Sequence, residues 1–347
     1  MAIQHSGYLT DNSPPSTIAS DLIKQWNDIF EWPKLTTAVA GTFFEHMERD
    51  HSKEFPVIRG AWPDWWTDGF GASARESAIT RSASSTLPAN VAGLSMTSAS
   101  VIKLPAKTAE KIDLAENALL FYCEHTTGYS ESVREPFSQP TMEQRALKES
   151  YAWEANRRTA LIGEEAMGLL QSMFVSEKDP SLLVFNTLNW NRSGLVTVYI
   201  DHQVVARGKM AGVFSQDGER MAAQPVASRS DGTYWAIWLK DIPAFGYKKF
   251  MVKAIDVPIA LADPDFPSAI ENPWYRVTAD PAKGAITSWY DKDLKLELVD
   301  ASSPYKMGEF ILEQLGNRSQ MESRKLDDFK RSPLDKVWFD SMVKGEI

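Results

Sequence analysis

The residues best suited to chemistry form a short segment, Gly60 to Gly71, that is rich in tryptophan, aspartate and glycine. It contains three indoles and two carboxylates within a dozen residues. Aromatic rings stack on the C–H faces of sugars, and carboxylates accept hydrogen bonds from sugar hydroxyls. The composition of this segment therefore predicts a carbohydrate subsite. The alternative is a tryptophan-rich plug between domains, in which the aspartates only begin helices.

A second polar segment follows an apolar helix stripe and reads Tyr-Cys-Glu-His-Thr-Thr-Gly from Tyr122 to Gly128. At a helix end, His125 could bind a divalent metal through one ring nitrogen, while Glu124 or a carbonyl fixes the other nitrogen. One histidine does not make a metal site, and no other histidine forms a short ligand pair with His125 in the sequence. A purely structural histidine is therefore the other interpretation, and the residues alone favour it.

A third polar loop, Gly7 to Pro14, comes directly before a predicted helix. Its aspartate, Asp11, could be a general acid if a crowded site raised its pKa. The same Asp-Asn-Ser sequence before two prolines is also an ordinary turn at the entry of a helix.

Composition excludes several functional classes. The 37 Lys and Arg residues against 46 Asp and Glu residues give a net charge of −9, which argues against binding to nucleic acids or to anionic membranes. A single cysteine cannot form an internal disulfide or a thiolate metal cage. We find no apolar run near the roughly 18 residues that a membrane span needs, no signal peptide at the start of this chain, and no nucleotide-binding motif.

The first stretch of the chain, to about residue 72, has the pattern of an α/β segment. A helix is predicted from Ser16, and a second helix fits Thr42 to Arg49. The run Phe55 to Gly60 predicts a short buried strand that ends at a glycine.

From about residue 73 to 178 the pattern is helical. Apolar residues recur at spacings of three and four over Ile112 to Tyr122 and over Ile162 to Met173, as on the buried face of a packed helix. A bundle of about three helices is the simplest arrangement.

After Pro180 the pattern changes to β-structure. Short apolar or alternating runs predict strands at Ser181–Phe185, Val196–Ile200, Tyr234–Trp238 and Phe250–Val252. The loop from Asp280 to Gly284 separates two further runs and predicts a hairpin, because its proline fixes φ and its glycine accepts a positive φ. Several strands of this kind predict a β-sandwich.

Taken together, the order of these segments resembles glycoside hydrolase family 38, the α-mannosidase type. Residues 65–75 are similar to the family's Trp-Thr-Gly-Tyr followed by Ser-Arg, and residues 124–128 resemble its metal-binding turn. The stretches 183–190 and 284–292 resemble strand signatures of its sandwich domain and are the most specific matches. Asp11 and the helix after it resemble the late part of the family's barrel.

The resemblance implies a multidomain α/β, α and β architecture. Residues 1–72 would be the end of a (β/α) barrel-like catalytic domain, 73–178 a three-helix bundle, and 179–347 a β-sandwich that is incomplete. It further implies that Asp11 is the acid/base catalyst and that His125 is a ligand of a divalent metal, zinc before calcium. Trp66, Asp64, Asp68 and Glu124 would contact a mannoside-like glycan.

The family's early barrel supplies a His-x-Asp metal pair and a nucleophilic aspartate, and no segment of this chain matches them. We therefore expect a portion of a metal-dependent retaining glycoside hydrolase, inactive as this chain alone. The complete protein is expected to be periplasmic or secreted. A non-catalytic carbohydrate-binding or scaffold protein derived from such an enzyme is the main alternative, and a purely structural protein with a helical and a β part is the third hypothesis.

Overall fold

The computed structural model describes residues 14–60, 67–100, 102–124, 132–256, 269–323 and 325–333. The chain divides into two compact units between residues 64 and 65. Within the described part of the chain, no helix is long and apolar enough to cross a membrane.

The first unit contains two helices, α1 (Ile18–Ile29) and α2 (Ala40–His51), which match the two helices predicted there. After α1 the chain is held back against the helix. The Trp26 indole donates a hydrogen bond to the Pro33 carbonyl at 2.8 Å, and the Asn27 carboxamide bonds both backbone groups of Leu35. None of the residues in either helix is buried.

The strand predicted at Phe55 to Gly60 is wrong. These residues are irregular and exposed, with Val57 84% accessible. Pro56 has no amide to donate, and no strand lies within the described residues 14–60 to pair with this segment. The barrel end that was predicted for residues 1–72 is therefore not seen, because these residues contain helices and no described strand.

The second unit begins with helices. Their bounds are α3 (Thr67–Ala72), α4 (Ala74–Ala99), α5 (Thr108–Cys123) and α6 (Gln139–Ser172). The three long helices pack through an inner face that combines a few large apolar residues with many alanines. Small residues let helix axes approach closely. The buried apolar residues of these three helices are Ala83, Leu87, Leu94, Ala115, Ala118, Tyr122, Ala152, Ala155, Ile162, Ala166 and Leu170.

The helical stripes that the sequence predicted face this core. Four residues of these stripes are buried, namely Ala115, Tyr122, Ile162 and Ala166. Ile112, Leu119 and Leu169 are partly buried and pack against this core. Met173 is the exception, since it lies just past the end of α6 and is exposed.

Thirteen strands follow in the described residues, and each pairing is antiparallel. One sheet has the order β1-β7-β3-β4, a second β2-β6-β5, a third β11-β10-β9-β8, and β12 pairs with β13. The strands are β1 (Ser181–Phe185), β2 (Arg192–Asp201), β3 (Met210–Phe214), β4 (Arg220–Met221), β5 (Ala223–Ser228), β6 (Gly232–Ile242), β7 (Tyr247–Ile255), β8 (Ala269–Glu271), β9 (Tyr275–Asp280), β10 (Ala285–Asp291), β11 (Leu296–Glu297), β12 (Ile311–Leu315) and β13 (Phe329–Pro333). A five-residue helix, α7 (Ser319–Ser323), precedes β13.

The first two sheets share one hydrophobic core and form a sandwich. In β6, Trp235, Ile237 and Leu239 point into this core, and Phe250 and Val252 of β7 meet them from the other sheet. This alternation follows from the two-residue period of a strand. All four strands predicted between Ser181 and Val252 are present.

The predicted hairpin is also present, between β9 and β10. The Asp280 carbonyl accepts hydrogen bonds from the amides of Lys283 and Gly284, and its carboxylate accepts one from Ala282. Gly284 has a φ of +61°, which glycine adopts at little cost.

A buried asparagine closes the corner after β1. The Asn186 carboxamide donates to the carbonyls of Trp190 at 2.7 Å and Ile242 at 3.1 Å, and accepts from the Leu188 amide. Its own amide donates to the Gly246 carbonyl at 2.9 Å. One side chain and one amide thus join the end of β1 to the chain that leaves β6 and enters β7. The stretch 183–190, one of the two most specific family-like matches, therefore has a structural role here.

Candidate functional site

The described residues include only part of the predicted site. Glu124 has a described side chain, and Asp68 lies in α3 without a described side chain. The other predicted site residues, namely Asp11, Asp64, Trp66 and His125, lie outside the described residues.

The chain segments next to these residues are brought together by one tyrosine. Tyr122, in the last turn of α5, is only 2% exposed. Its hydroxyl lies 2.8 Å from the Ser77 Oγ and 3.3 Å from the Ser73 Oγ, and its ring packs edge-on against Phe70. These partners lie 45 and 49 residues away in sequence. The two segments that resemble family motifs, 65–75 and 124–128, therefore adjoin the same end of the bundle through their described residues.

A buried lysine holds the end of α5. Lys148 is 7% exposed, and its ammonium group donates to the carbonyls of Phe121 at 2.7 Å and Glu124 at 3.1 Å. It also donates to the Glu124 carboxylate at 2.8 Å. An ammonium group has three protons, so these three acceptors use all of them. Two carbonyls that the helix end leaves without an intrahelical partner are thereby satisfied.

The ion pair with Lys148 gives Glu124 a structural role at the end of α5. Its carboxylate is about half exposed on the other side of the pair. A contact between Glu124 and a substrate stays a prediction.

An arginine one turn earlier on α6 holds the end of α3. The Arg145 guanidinium donates to the Ala72 carbonyl at 3.1 Å and pairs with Glu149 at 2.7 Å. Arg145 and Lys148 lie three residues apart, so they share one face of α6. A single helix thus fixes the ends of both α3 and α5.

The sequence analysis missed Lys148, although a signal was present. The buried residues of α6 include Thr141, Lys148, Ala152, Ala155, Thr159 and Ile162. Their spacings of seven, four, three, four and three continue the predicted apolar stripe towards the start of the helix. A lysine on that stripe indicates a cation with buried acceptors, because lysine is almost never fully buried without partners.

The first turn of α4 carries a buried carboxylate, Glu76, with a side chain only 4% exposed. Burial raises the pKa of this carboxyl, but the hydrogen bond from Arg75, a backbone hydrogen bond and the charges of Arg75 and Arg145 outweigh it, so the pKa lies below its ordinary value. The Arg75 guanidinium also lies over the Trp153 ring, 5.3 Å from its centre. Glu76 is therefore a charged residue built into the scaffold of this end of the bundle.

The described residues do not supply a donor set for a metal. Among them, no group of three or more His, Cys, Asp or Glu side chains lies close enough to hold an ion. The Glu124 carboxylate next to the predicted ligand is paired with Lys148. The described carboxylates Glu76 and Glu124 are both bound by cations, so the described part of this site anchors the ends of α3 and α5.

Comparison with known proteins gives a weak likeness to one family. No protein-family model matches the sequence, and no curated protein matches it. A solved structure of a protein in glycosyl hydrolase family 38 from Enterococcus faecalis is 14% identical, with a TM-score of 0.41, over 82% of this chain and 36% of that chain. An α-mannosidase structure from Enterococcus faecalis V583 is 13% identical, with a TM-score of 0.43, over 96% of this chain and 40% of that chain. This chain thus spans about two fifths of the length of these structures, and similarity of this size does not place it in the family.

Proposed function

We propose that this chain is part of a metal-dependent retaining glycoside hydrolase of the family 38 type that acts on α-mannoside-like linkages. The observation that supports the proposal is the contact of Tyr122 with Ser73 and Ser77. The sequence motifs alone did not require residues 65–75 and 124–128 to be neighbours, yet a joint sugar and metal site needs them to be. Arg145 and Lys148 stabilise the same juxtaposition from α6.

In this proposal Asp11 protonates the leaving oxygen of the glycosidic bond and then activates the water that releases the sugar. Trp66 provides a flat face for the sugar ring, and Asp64, Asp68 or Glu124 accepts hydrogen bonds from its hydroxyls. His125 is the proposed ligand of a zinc or calcium ion. No catalytic step is assigned to the metal, because the described residues hold no donor set for it.

A retaining glycosidase uses two carboxyl groups about 5 to 5.5 Å apart, one as nucleophile and one as acid/base. The motifs of this chain provide a candidate for the second role only, in Asp11. We therefore expect the 347-residue chain alone to be inactive on aryl α-mannosides.

The main test uses the protein in its native form, tagged at its own gene so that the whole natural polypeptide is purified. We expect it to hydrolyse an aryl α-mannoside faster than the matching α-glucoside, with retention of configuration by NMR. Asp11→Asn should remove the activity. Asp28→Asn is the matched control, because it makes the same charge change on the exposed surface of α1. A native protein without mannoside turnover would contradict the proposal.

A binding experiment separates the enzyme from the non-catalytic alternative. Manno-oligosaccharides are titrated calorimetrically into the parent, Trp66→Ala and Trp32→Ala, where Trp32 is a highly exposed control. The non-catalytic alternative would be supported if Trp66→Ala loses binding, Trp32→Ala keeps it, and the native protein does not hydrolyse the mannoside. Metal analysis of the parent and His125→Ala tests the metal site, and equal metal content would exclude His125 as a ligand.

A further inference from the structure

A groove of about 780 Å³ runs along α4 beside the last turn of α5. One wall is a stripe of α4 on which Ser77, Arg81, Ser84 and Ser85 follow at helical spacing. Tyr122 and Cys123 of α5 also line the groove, and the remaining described lining residues are Phe70, Ala74, Ala78 and Thr80. The groove therefore combines apolar surface with a row of hydroxyl groups and one cation.

Two polar groups of this groove have no partner among the described residues. The hydroxyls of Ser77 and Tyr122 bond each other, and the Ser85 hydroxyl donates to the Ser82 carbonyl. Arg81 and Ser84, in contrast, make no side-chain hydrogen bond or ion pair with the residues that the structure describes. An arginine on a helix surface often finds an acidic neighbour three or four residues away, and Arg81 does not.

The wall also contains a buried hydroxyl without a hydrogen bond. Thr80 is 3% exposed, and its Oγ1 has no partner within the described part of the chain. A buried polar group of this kind costs free energy unless something else satisfies it. Thr80 thus adds to the groove wall a residue whose hydroxyl is closed off from solvent.

The charge around the groove is opposite to that of the chain. The whole chain carries a net charge of −9, yet none of the described residues that line the groove is acidic. The two carboxylates nearest in sequence, Glu76 and Glu124, are paired with Arg75 and Lys148. The positive charge of Arg81 is therefore not neutralised by a described lining residue, and charge complementarity favours an anion.

We propose that this groove binds a small organic oxyanion. Its phosphate or carboxylate group is held by the Arg81 guanidinium and the Ser84 hydroxyl, because a guanidinium matches the two oxygens of such groups. Its carbon skeleton lies against Phe70, Ala74 and Ala78. The inference does not depend on the proposed glycosidase function, since Arg81 and Ser84 lie outside the segments with family resemblance.

The only cysteine of the chain, Cys123, provides a direct test, because it is exposed and lines the groove. The rate of its labelling by a neutral maleimide is measured with phenyl phosphate, benzoate or uncharged benzyl alcohol. Phenyl phosphate or benzoate at roughly ten times its dissociation constant should slow labelling about tenfold, and benzyl alcohol should not. The ratio of the two anions' affinities tells a phosphate site from a carboxylate site.

Two variants locate the anion. Arg81→Gln should weaken protection by the anions about tenfold or more, and Ser84→Ala by a smaller factor, with unchanged labelling rates in the absence of ligand. Arg157→Gln makes the same change of net charge on α6, away from the groove. In this control the anions should protect Cys123 as well as they do in the parent. The proposal is overturned if neither anion protects Cys123, or if the anions protect Cys123 in Arg81→Gln as well as in the parent. It is also overturned if benzyl alcohol protects Cys123 as well as benzoate does.

Discussion

The bundle and the sandwich bury different kinds of side chain. In the sandwich the buried residues are large and apolar, such as Trp235, Ile237 and Phe250. In the bundle many are alanines, and Glu76 and Lys148 are buried among them. Hydrophobic stabilisation is roughly proportional to the apolar area removed from water, so each buried position contributes more in the sandwich. The bundle depends more on directional polar contacts, and these contacts hold the ends of α3 and α5.

The largest effect is expected in the sandwich, for Trp235→Ala. This side chain is 2% exposed in the shared core, and truncating a buried tryptophan costs about 3–5 kcal/mol in free energy of unfolding. Hydrogen exchange should show faster exchange in β2 and β6 and little change in α4 to α6. The control Trp274→Ala, at an exposed position, should have a small effect. Equal loss of protection in the bundle would show that the two regions do not differ as described.

The next effect is expected in the bundle, for Lys148→Met, which keeps most of the apolar stem and removes the ammonium group. The carbonyls of Phe121 and Glu124 then lose their donor, and we expect a loss of about 2 kcal/mol in urea unfolding. Lys111→Met is the control, because the Lys111 side chain is 41% exposed against 8% for Lys148, and its ion pair with Glu165 should be worth less than about 1 kcal/mol. Similar losses for the two variants would contradict the structural importance of the buried cation.

These two regions also differ in what the sequence could predict. In the sandwich, the strands could be predicted from short apolar or alternating runs. Such a run is local in sequence, because consecutive residues of a strand point to opposite faces. Tyr122 was placed in the bundle core by its helical spacing, but its hydrogen bonds to Ser73 and Ser77 join distant parts of the chain. No local pattern contains such a contact.

The one wrong strand has a related cause. The apolar run at Phe55 to Ile58 fits a buried strand, but a strand also needs a partner for its amides and carbonyls, and sequence periodicity does not show whether one exists. As for the site, the roles of Asp11, Asp64, Trp66 and His125 stay predictions. The structure has Asp68 in the first turn of α3, a helix that the sequence did not predict. The cations that support the site were missed because lysine and arginine are ordinarily expected at the surface.

A smaller effect is expected for Tyr122→Phe, which keeps the buried ring and removes the hydroxyl that meets Ser73 and Ser77. One hydrogen bond is worth about 1 kcal/mol, and the loss should be of this size in chemical unfolding. Tyr151→Phe is the control, because the Tyr151 ring stacks on Phe121 and keeps that contact. A loss for Tyr151→Phe as large as for Tyr122→Phe would count against a specific role of the Tyr122 hydroxyl.

The smallest effect concerns the pH dependence of the bundle through Glu76. Its pKa in the folded protein lies below the ordinary value of 4.5, so its charged form contributes stability above that pH. This contribution is lost as the pH falls through the folded pKa, because the unfolded chain then binds the proton more readily. Glu76→Gln should therefore flatten the fall in unfolding free energy below pH 4.5, measured by urea titrations at several pH values. Parallel curves for parent and variant would contradict this, and Glu116→Gln, at an exposed position of α5, is the control.

The corner at Asn186 sets an order for folding during synthesis. Its carboxamide needs the carbonyl of Ile242, 56 residues further along the chain, so the corner cannot close until β6 has left the ribosome. By then all of α4, α5 and α6 has already been synthesised, since α6 ends at Ser172. The helices can therefore assemble while the sandwich is still being made, in keeping with the usual folding of N-terminal parts first. The hydrogen bond between Asn186 and Ile242 therefore forms late in synthesis, after the three long helices are complete.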